Sequence, residues 1–131
     1  MTEIQKVFGE LKVNQYEFTN CGVKHVQCRN TMSVALDQIH FASTLKAIAH
    51  PQVSSGKDSD DADSDLRALY RSLLGAVAYL AHTRVDILVF ICALQRHVAS
   101  PKVEHARKLN RVLRWVQNNP KKLVYTHALG N

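Results

Sequence analysis

The segment between Pro101 and Pro120 restricts the fold of this chain more than any other part of its sequence. Apolar side chains recur there with helical spacing, and a proline stands at each end. At about 100° per residue, an apolar face lies opposite a basic face. The apolar residues are Ala106, Leu109, Leu113 and Val116, and the basic residues are Arg107, Lys108, Arg111 and Arg114. We predict an amphipathic helix that begins at Ser100-Pro101, with Ser100 as its N-cap, and ends near Gln117.

Two more helices are predicted before this one. Leu66 to Ala81 carries apolar residues close to helical spacing, and a second apolar helix is predicted over Val85 to Val98. Thr83 and Asp86 have the spacing of a capping box for that second helix. After the amphipathic helix, Leu123 to Tyr125 is predicted to form a short strand.

The first part of the chain predicts a mixture of helix and strand. Met1 to Phe8 is typical of a helix that Gly9 closes. Tyr16 to Gln27, which Gly22 interrupts, and Met32 to Leu36 favour the two strands of a hairpin. Asp37 is the predicted N-cap of a short helix that runs through Ile48.

An acidic segment separates these two parts. Residues 54–65 contain five Asp, several Ser and Gly56, but no large apolar residue. Because such a segment has little to bury, we predict a flexible surface loop. The expected organisation is a hairpin and short helix over 1–53, the acidic loop over 54–65 and a helical region over 66–131. The fold class is α+β and predominantly helical, with a β-hairpin, a three-helix bundle and a terminal strand.

The net charge indicates which partners the chain can bind, and the cysteines indicate the compartment in which it resides. The 131 residues carry a formal net charge of +6, which favours polyanionic partners or acidic membrane surfaces. His82, Arg84 and Asp86 interrupt the most apolar stretch, so no membrane-spanning helix is predicted. The three cysteines lack the spacing of a disulfide framework and indicate reduced thiols inside a cell, in the cytoplasm or the nucleus. We predict that they are core residues.

The residue patterns favour neither a metal site nor independent catalysis. The aspartates of the acidic segment have no rigid strands to hold two cations, and their spacing fails the calcium-loop template. Cys21, His25 and Cys28 supply only three zinc ligands, and strand alternation separates Cys28 from the other two. We therefore predict no metal and no cofactor. The basic face of the amphipathic helix can neutralise the phosphates of a nucleic acid. Alternatively, it is an ordinary solvent-exposed helix face that binds nothing.

The stretch from Tyr70 to Tyr125 resembles the segment that follows the polymerase core in copia-type retrotransposon Pol polyproteins. The matching residues, in order, are Tyr70-Arg71-Ser72, Gly75, Tyr79-Leu80, Thr83-Arg84, Asp86-Ile87, Leu94, Arg96, Pro101, His105 and Arg111-Val112-Leu113-Arg114-Trp115. FTNCGVKHVQ and VALDQIHFASTLKAI resemble upstream parts of the same family more loosely, with His40-Phe41 where the family has tyrosine. The resemblance covers nearly the whole chain apart from the acidic segment.

The resemblance implies a role in holding nucleic acid. The hairpin around Asn20 to Lys24, which contains Cys21 and Gly22, would be the primer grip, which presses on the primer strand near its 3′ end. The helix with Arg71, Gly75 and Tyr79 would be the thumb helix that follows the minor groove of a primer–template duplex. These three residues share one helical face. The alternative is that Gly75 permits tight helix packing and Tyr79 belongs to the core.

The family's catalytic signatures are expected to lie outside this chain. These are the Tyr-x-Asp-Asp strand of the polymerase and the carboxylates of RNase H, which bind Mg²⁺ in the full-length parent. We expect a non-catalytic fragment that binds an RNA–DNA or DNA duplex without sequence preference, through one cradle formed by the arginines after Pro101 and the Gly75 helix. It would adjoin the missing palm and RNase H domains and bind no membrane. The alternatives are a subunit that complements a separate palm, a helical protein-interaction module, or a non-functional remnant of a decayed element.

Overall fold

The computed structural model describes residues 2–10 and 14–126, apart from the side chains of Thr2, Ile4 and Gln5. These residues form six α-helices and one four-stranded antiparallel sheet, so the α+β class is confirmed. The strands are β1 Glu17–Asn20, β2 Val23–Gln27, β3 Val34–Asp37 and β4 Leu123–Tyr125. The helices are α1 Thr2–Phe8, α2 Ile39–Thr44, α3 Pro51–Ser55, α4 Ser64–Leu80, α5 Leu88–Gln95 and α6 Val103–Asn118.

The strands lie side by side in chain order, and β4 joins the free edge of β3. The predicted strand from Tyr16 to Gln27 is in fact two strands. Cys21 and Gly22 form a two-residue turn between them, with φ angles of 51° and 77°. Positive φ at both positions is typical of the type I′ turn, whose twist matches that of antiparallel strands. The predicted strands at Met32–Leu36 and Leu123–Tyr125 correspond to β3 and β4.

The core lies where α4, α5 and α6 pack against one another. Leu66 and Tyr70 of α4, Ile91 of α5, and Leu109 and Leu113 of α6 are all buried. Each apolar side chain of this size contributes about 1.5–3 kcal/mol when it leaves water. The Tyr70 hydroxyl donates a hydrogen bond of 2.6 Å to the Leu94 carbonyl, and burial raises its pKa to about 12. The predicted apolar face of the amphipathic helix is confirmed.

The start of α6 differs from the prediction. The N-cap residue is Lys102 rather than Ser100, and Pro101 precedes the helix instead of occupying its first turn. The Nδ1 atom of His105 accepts a hydrogen bond of 2.9 Å from the Lys102 N–H. His105, the third residue of the helix, thus accepts from a backbone N–H that the predicted Ser100 cap was expected to satisfy. The predicted end near Gln117 agrees with the last helical residue, Asn118.

The predicted capping box before α5 is wrong. A short 3-10 turn over Val85–Ile87 leads into α5, and its N-cap residue Arg84 makes no side-chain capping bond. The Thr83 hydroxyl instead donates a hydrogen bond of 2.9 Å to the Gln38 side chain. Asp86 accepts two hydrogen bonds of 3.1 Å from Arg84. Thr83 therefore serves a tertiary contact and Asp86 pairs with its near neighbour Arg84, so neither side chain caps α5.

The helix after β3 is shorter than predicted. It begins at Ile39, after the N-cap residue Gln38, and ends at Thr44 rather than Ile48. Pro51 opens the separate helix α3, for which His50 is the N-cap. A proline disfavours helical backbone at the residue before it, which explains why the chain is extended at His50 and why a new helix starts there.

The acidic segment, predicted to be a flexible surface loop, is hydrogen-bonded to the rest of the chain, which the sequence did not indicate. It contains the end of α3, the Asp63 N-cap of α4 and the buried Ala62. The N–H groups of Val103 and Glu104 donate to the carbonyls of Asp60 and Asp58, at 3.0 and 3.2 Å. Hydrogen bonds to the first turn of α6, together with the buried Ala62, attach this segment to the helices.

The three cysteines are exposed free thiols, so their predicted place in the core is wrong. Cys21 lies in the hairpin turn, Cys28 follows β2, and Cys92 lies on the outer side of α5. Among the helices that the structure describes, none is long and apolar enough to cross a membrane.

Candidate nucleic-acid interface

The outer face of α4 is open around Gly75. Gly75 follows Leu66 by nine residues, so at about 100° per residue it lies on the opposite side of the helix from this buried leucine. A Cβ atom built on Gly75 would meet no heavy atom within 4 Å. Arg71, one turn earlier, is exposed. The alternative in which Gly75 permits tight helix packing is therefore wrong.

Tyr79 connects this face to the hairpin. Its hydroxyl donates a hydrogen bond to the Cys21 carbonyl in the β1–β2 turn. Its ring meets Phe41 of α2 edge-on, with centroids 5.4 Å apart. A Cβ on Gly22 would lie 3.5 Å from the Phe41 ring, so the turn rests against the same aromatic pair. The structure thus brings together Cys21, Gly22 and Tyr79, which the sequence could link only through the family resemblance.

Arg107 is occupied by contacts within the chain. Its Nε donates to the Val53 carbonyl at 3.0 Å, and one terminal nitrogen donates to the Gly56 carbonyl at 2.6 Å. The other terminal nitrogen is paired with the Asp58 carboxylate. Three of the five N–H donors of this guanidinium are therefore used within the chain. These contacts give Arg107 a structural role, which is to hold the acidic segment, and they compete with the predicted phosphate contact.

The remaining basic residues of α6 lie outside its buried face. Arg111 lies two residues from both Leu109 and Leu113, which is about 160° around the helix from each buried leucine. α4 and α6 pack on each other through buried residues, so the open face around Gly75 and the basic residues of α6 both lie outside this contact. A single cradle formed by the two surfaces remains a prediction. Arg111 and Arg114 are exposed, and Lys108 pairs with Glu104 at 3.4 Å. Phosphate binding by these three residues remains a separate prediction.

Arg84 has a structural role, although it lies in a basic part of the sequence. It is buried, donates to Asp86, and reaches the Val116 carbonyl at 3.3 Å. The hydrogen bond from Arg84 is the main cause of the lowered pKa of the Asp86 carboxyl group. Arg84 therefore belongs to the packing between the α4–α5 connection and α6, although its sequence position places it in a basic cluster. The pairing with Asp86 two residues later was its only signal in the sequence.

The part of the chain that the structure describes contains no group of three or more His, Cys, Asp or Glu side chains arranged to hold a metal ion. The aspartates of the acidic segment make other contacts. Asp58 pairs with Arg107, and Asp63 caps α4 by accepting from the Leu66 N–H at 2.8 Å.

Comparison with known proteins links the chain to mobile elements. It is 33% identical over 79 residues to the Retrovirus-related Pol polyprotein from transposon RE1 of Arabidopsis thaliana, and 32% identical over 79 residues to that from transposon RE2 of the same plant. Each match covers 59% of this chain and 5% of the relative. These similarities support an origin in a retrotransposon Pol polyprotein. The chain spans about one twentieth of the length of these relatives. No protein-family model matches the chain, and no solved structure does so.

Proposed function

We propose that the chain is a non-catalytic, thumb-like part of a copia-type reverse transcriptase that holds a primer–template duplex on the outer face of α4. The contact surface consists of Arg71 and Gly75 on α4 together with the Cys21-Gly22 turn. The observation that carries the proposal is the Tyr79–Cys21 hydrogen bond, which fixes the turn beside the open face of the helix.

The open face of α4 suits a close approach by a nucleic-acid backbone. Ala68, Ser72 and Gly75 are small and exposed, and Arg67 and Arg71 flank them. Small side chains leave room for sugars and phosphates near the helix, and the arginines supply positive charge without reading bases. Such a surface would bind many duplex sequences with similar affinity.

The division of roles follows from the contacts. Arg71 would pair with a phosphate, because it is exposed and its contact within the chain is a 3.5 Å hydrogen bond to the Val98 carbonyl. Gly75 would let a sugar approach the helix backbone. Tyr79 would act as a positioning residue, since its hydroxyl is committed to the turn and its ring to Phe41.

The test is a titration of the 131-residue chain with a fluorescent RNA–DNA duplex at several salt concentrations. Arg71→Ala should weaken binding and reduce the slope of log affinity against log salt by about one. Lys57→Ala is the matched control, because Lys57 is an exposed cation in the acidic segment. Equal slopes for the two variants would contradict the proposed surface.

A further inference from the structure

A second surface of the chain, on α5 and α6, has a different character. An open groove of about 680 Å³ runs between these helices. We call it the α5–α6 groove, and the residues that define its character are Phe90, Leu94, Lys108, Arg111, Val112 and Trp115. We propose that this groove binds an acidic amphipathic helix of a partner protein. The proposal is independent of duplex binding on α4.

The first observation is the uncovered apolar surface of α5. The sequence of this helix, LVFICALQ, has apolar residues on all sides, yet only Ile91 and Leu94 are buried. Phe90 is 57% exposed and Trp115, across the groove, is 43% exposed. A helix that is apolar all round is normally covered on every side. Large apolar side chains exposed together mark an interaction site.

The second observation is the charge around this apolar floor. Lys108 and Arg111 of α6 line the groove, and the ammonium of Lys121 lies 5.2 Å from the centre of the Trp115 ring. Lys108 also pairs with Glu104 and Lys121 with Asp86, each at 3.4 Å, so Arg111 is the main cation for a partner. An amphipathic helix that docks in a groove is anchored by apolar residues at positions i, i+3, i+4 and i+7. Acidic residues beside these anchors would meet the cations of the rim, which favours a negatively charged helix over a positively charged one.

Two other occupants fit the groove less well. A second copy of the chain, docked symmetrically through the same surface, would bring the cations of one copy towards those of the other. Single-stranded nucleic acid binds by stacking its bases on open aromatic rings. The ring of Trp115 already has the guanidinium of Arg84 and the ammonium of Lys121 within about 5.3 Å of its centre. The aliphatic side chains of Leu94 and Val112 suit aliphatic partners better than bases.

The groove contains its own reporter, because Trp115 is the single tryptophan of the chain. We would titrate the 131-residue chain with two synthetic helical peptides that share leucines at i, i+3, i+4 and i+7. One carries glutamates at its other positions and the second carries lysines. The glutamate peptide should shift the emission of Trp115 to shorter wavelength and bind at least about tenfold more tightly than the lysine peptide.

Two pairs of variants locate the binding site. Arg111→Glu should weaken binding of the glutamate peptide about tenfold, whereas Arg114→Glu, on the same helix but outside the groove, should change it less than about threefold. Phe90→Ser should abolish the shift, whereas Val89→Ser should retain it. Both residues are exposed, so circular dichroism should show the same helical content in both variants.

Several results would overturn this proposal. They are equal binding of the two peptides, no binding of either, a shift of Trp115 emission that depends only on protein concentration, or displacement of the glutamate peptide by oligothymidylate. The last two would identify a second copy or a single strand as the occupant. Phe90→Ser should leave duplex affinity unchanged, so that failure here is distinct from failure of the duplex-binding proposal.

Discussion

The hydroxyl of Tyr79 on α4 donates a hydrogen bond to the backbone carbonyl of Cys21 in the β1–β2 turn, across 58 positions of the chain. This bond joins the β1–β2 turn to α4, the longest of the helices that the structure describes. The Phe41 ring lies beside both partners, close to Gly22 and edge-on to Tyr79. The position of the turn therefore depends on a tertiary contact as well as on the strands themselves.

Replacing Tyr79 with Phe removes this bond and keeps the ring. We expect the free energy of unfolding to be about 0.5–1.5 kcal/mol lower than in the wild type, because one hydrogen bond usually contributes this much to stability. Duplex affinity should fall severalfold, because the turn is no longer fixed beside Gly75. Chemical denaturation and duplex titration measure the two effects, and Tyr125→Phe on the exposed strand β4 is the control. Unchanged duplex affinity in Tyr79→Phe would exclude its positioning role.

The turn itself has a residue that suits it poorly. Cys21 has a φ of 51°, a left-handed conformation that Asn adopts more readily than Cys. Cys21→Asn should therefore stabilise the chain by about 0.5–1 kcal/mol while leaving the carbonyl that Tyr79 needs. Gly22→Ala should destabilise it, because Gly22 has a φ of 77°. Urea denaturation measures whether each variant raises or lowers the free energy of unfolding. A loss of stability in Cys21→Asn would contradict this account of the turn.

Arg107 is expected to affect stability rather than nucleic-acid binding. Arg107→Ala leaves the carbonyls of Val53 and Gly56 and the carboxylate of Asp58 without their donor. We expect a loss of about 1–3 kcal/mol in the free energy of unfolding and an unchanged duplex affinity. Arg114→Ala, on an exposed part of the same helix, should change stability by less than about 0.5 kcal/mol. A clear loss of duplex affinity in the folded Arg107→Ala variant would restore Arg107 to the binding surface.

His105 makes the stability of α6 depend on pH. Its Nδ1 must be unprotonated to accept from the Lys102 N–H. Burial lowers the pKa of His105 below its ordinary value of 6.5, and the stacked ring of His97 and the ammonium groups of Lys108 and Lys102 act in the same direction, whereas Glu104 opposes them. Because the folded pKa lies below the unfolded one, the contribution is complete above about pH 6.5 and is lost as the pH falls through the folded pKa.

Denaturation at about pH 7.5 and about pH 5 should therefore show a less stable protein at the lower pH. His105→Gln supplies an acceptor that does not titrate, at the helix position where Gln and Glu usually cap. This variant should lose much of the pH dependence between these two values. The same dependence in the variant and the wild type would show that His105 is not its source.

Periodicity in the sequence predicted the helix faces and helix ends that depend on local spacing. It did not predict the caps and turns that depend on contacts between distant residues. The apolar face of α6 and the closure of α1 by Gly9 follow from helix geometry and glycine conformation. Ser100 is not the cap of α6, because the N-cap is Lys102, two residues later, and His105 accepts a hydrogen bond from its N–H. The residue pattern did not show the two-residue turn, because Cys rarely occupies a position that requires positive φ, and only the family resemblance placed a hairpin there.

The candidate site was predictable only in part, for a related reason. The helical face of Arg71, Gly75 and Tyr79 follows from their spacing of four residues. The single cradle could not be derived from the sequence, because helical spacing orients a face around its own helix but does not relate one helix to another. The occupation of Arg107 depends on Asp58, which lies 49 positions away in a segment that we predicted to be free.

The central claim is that the outer face of α4 meets the duplex backbone at Gly75, and Gly75→Leu tests it most directly. A side chain added at Gly75 would point into open space. Leucine is a better helix former than glycine by about 0.5–1 kcal/mol, so the variant should be more stable than the wild type. Its affinity for an RNA–DNA duplex should nevertheless fall at least about tenfold, because the leucine blocks the approach of the sugars. A stabilised Gly75→Leu variant that binds the duplex as tightly as the wild type would contradict the account.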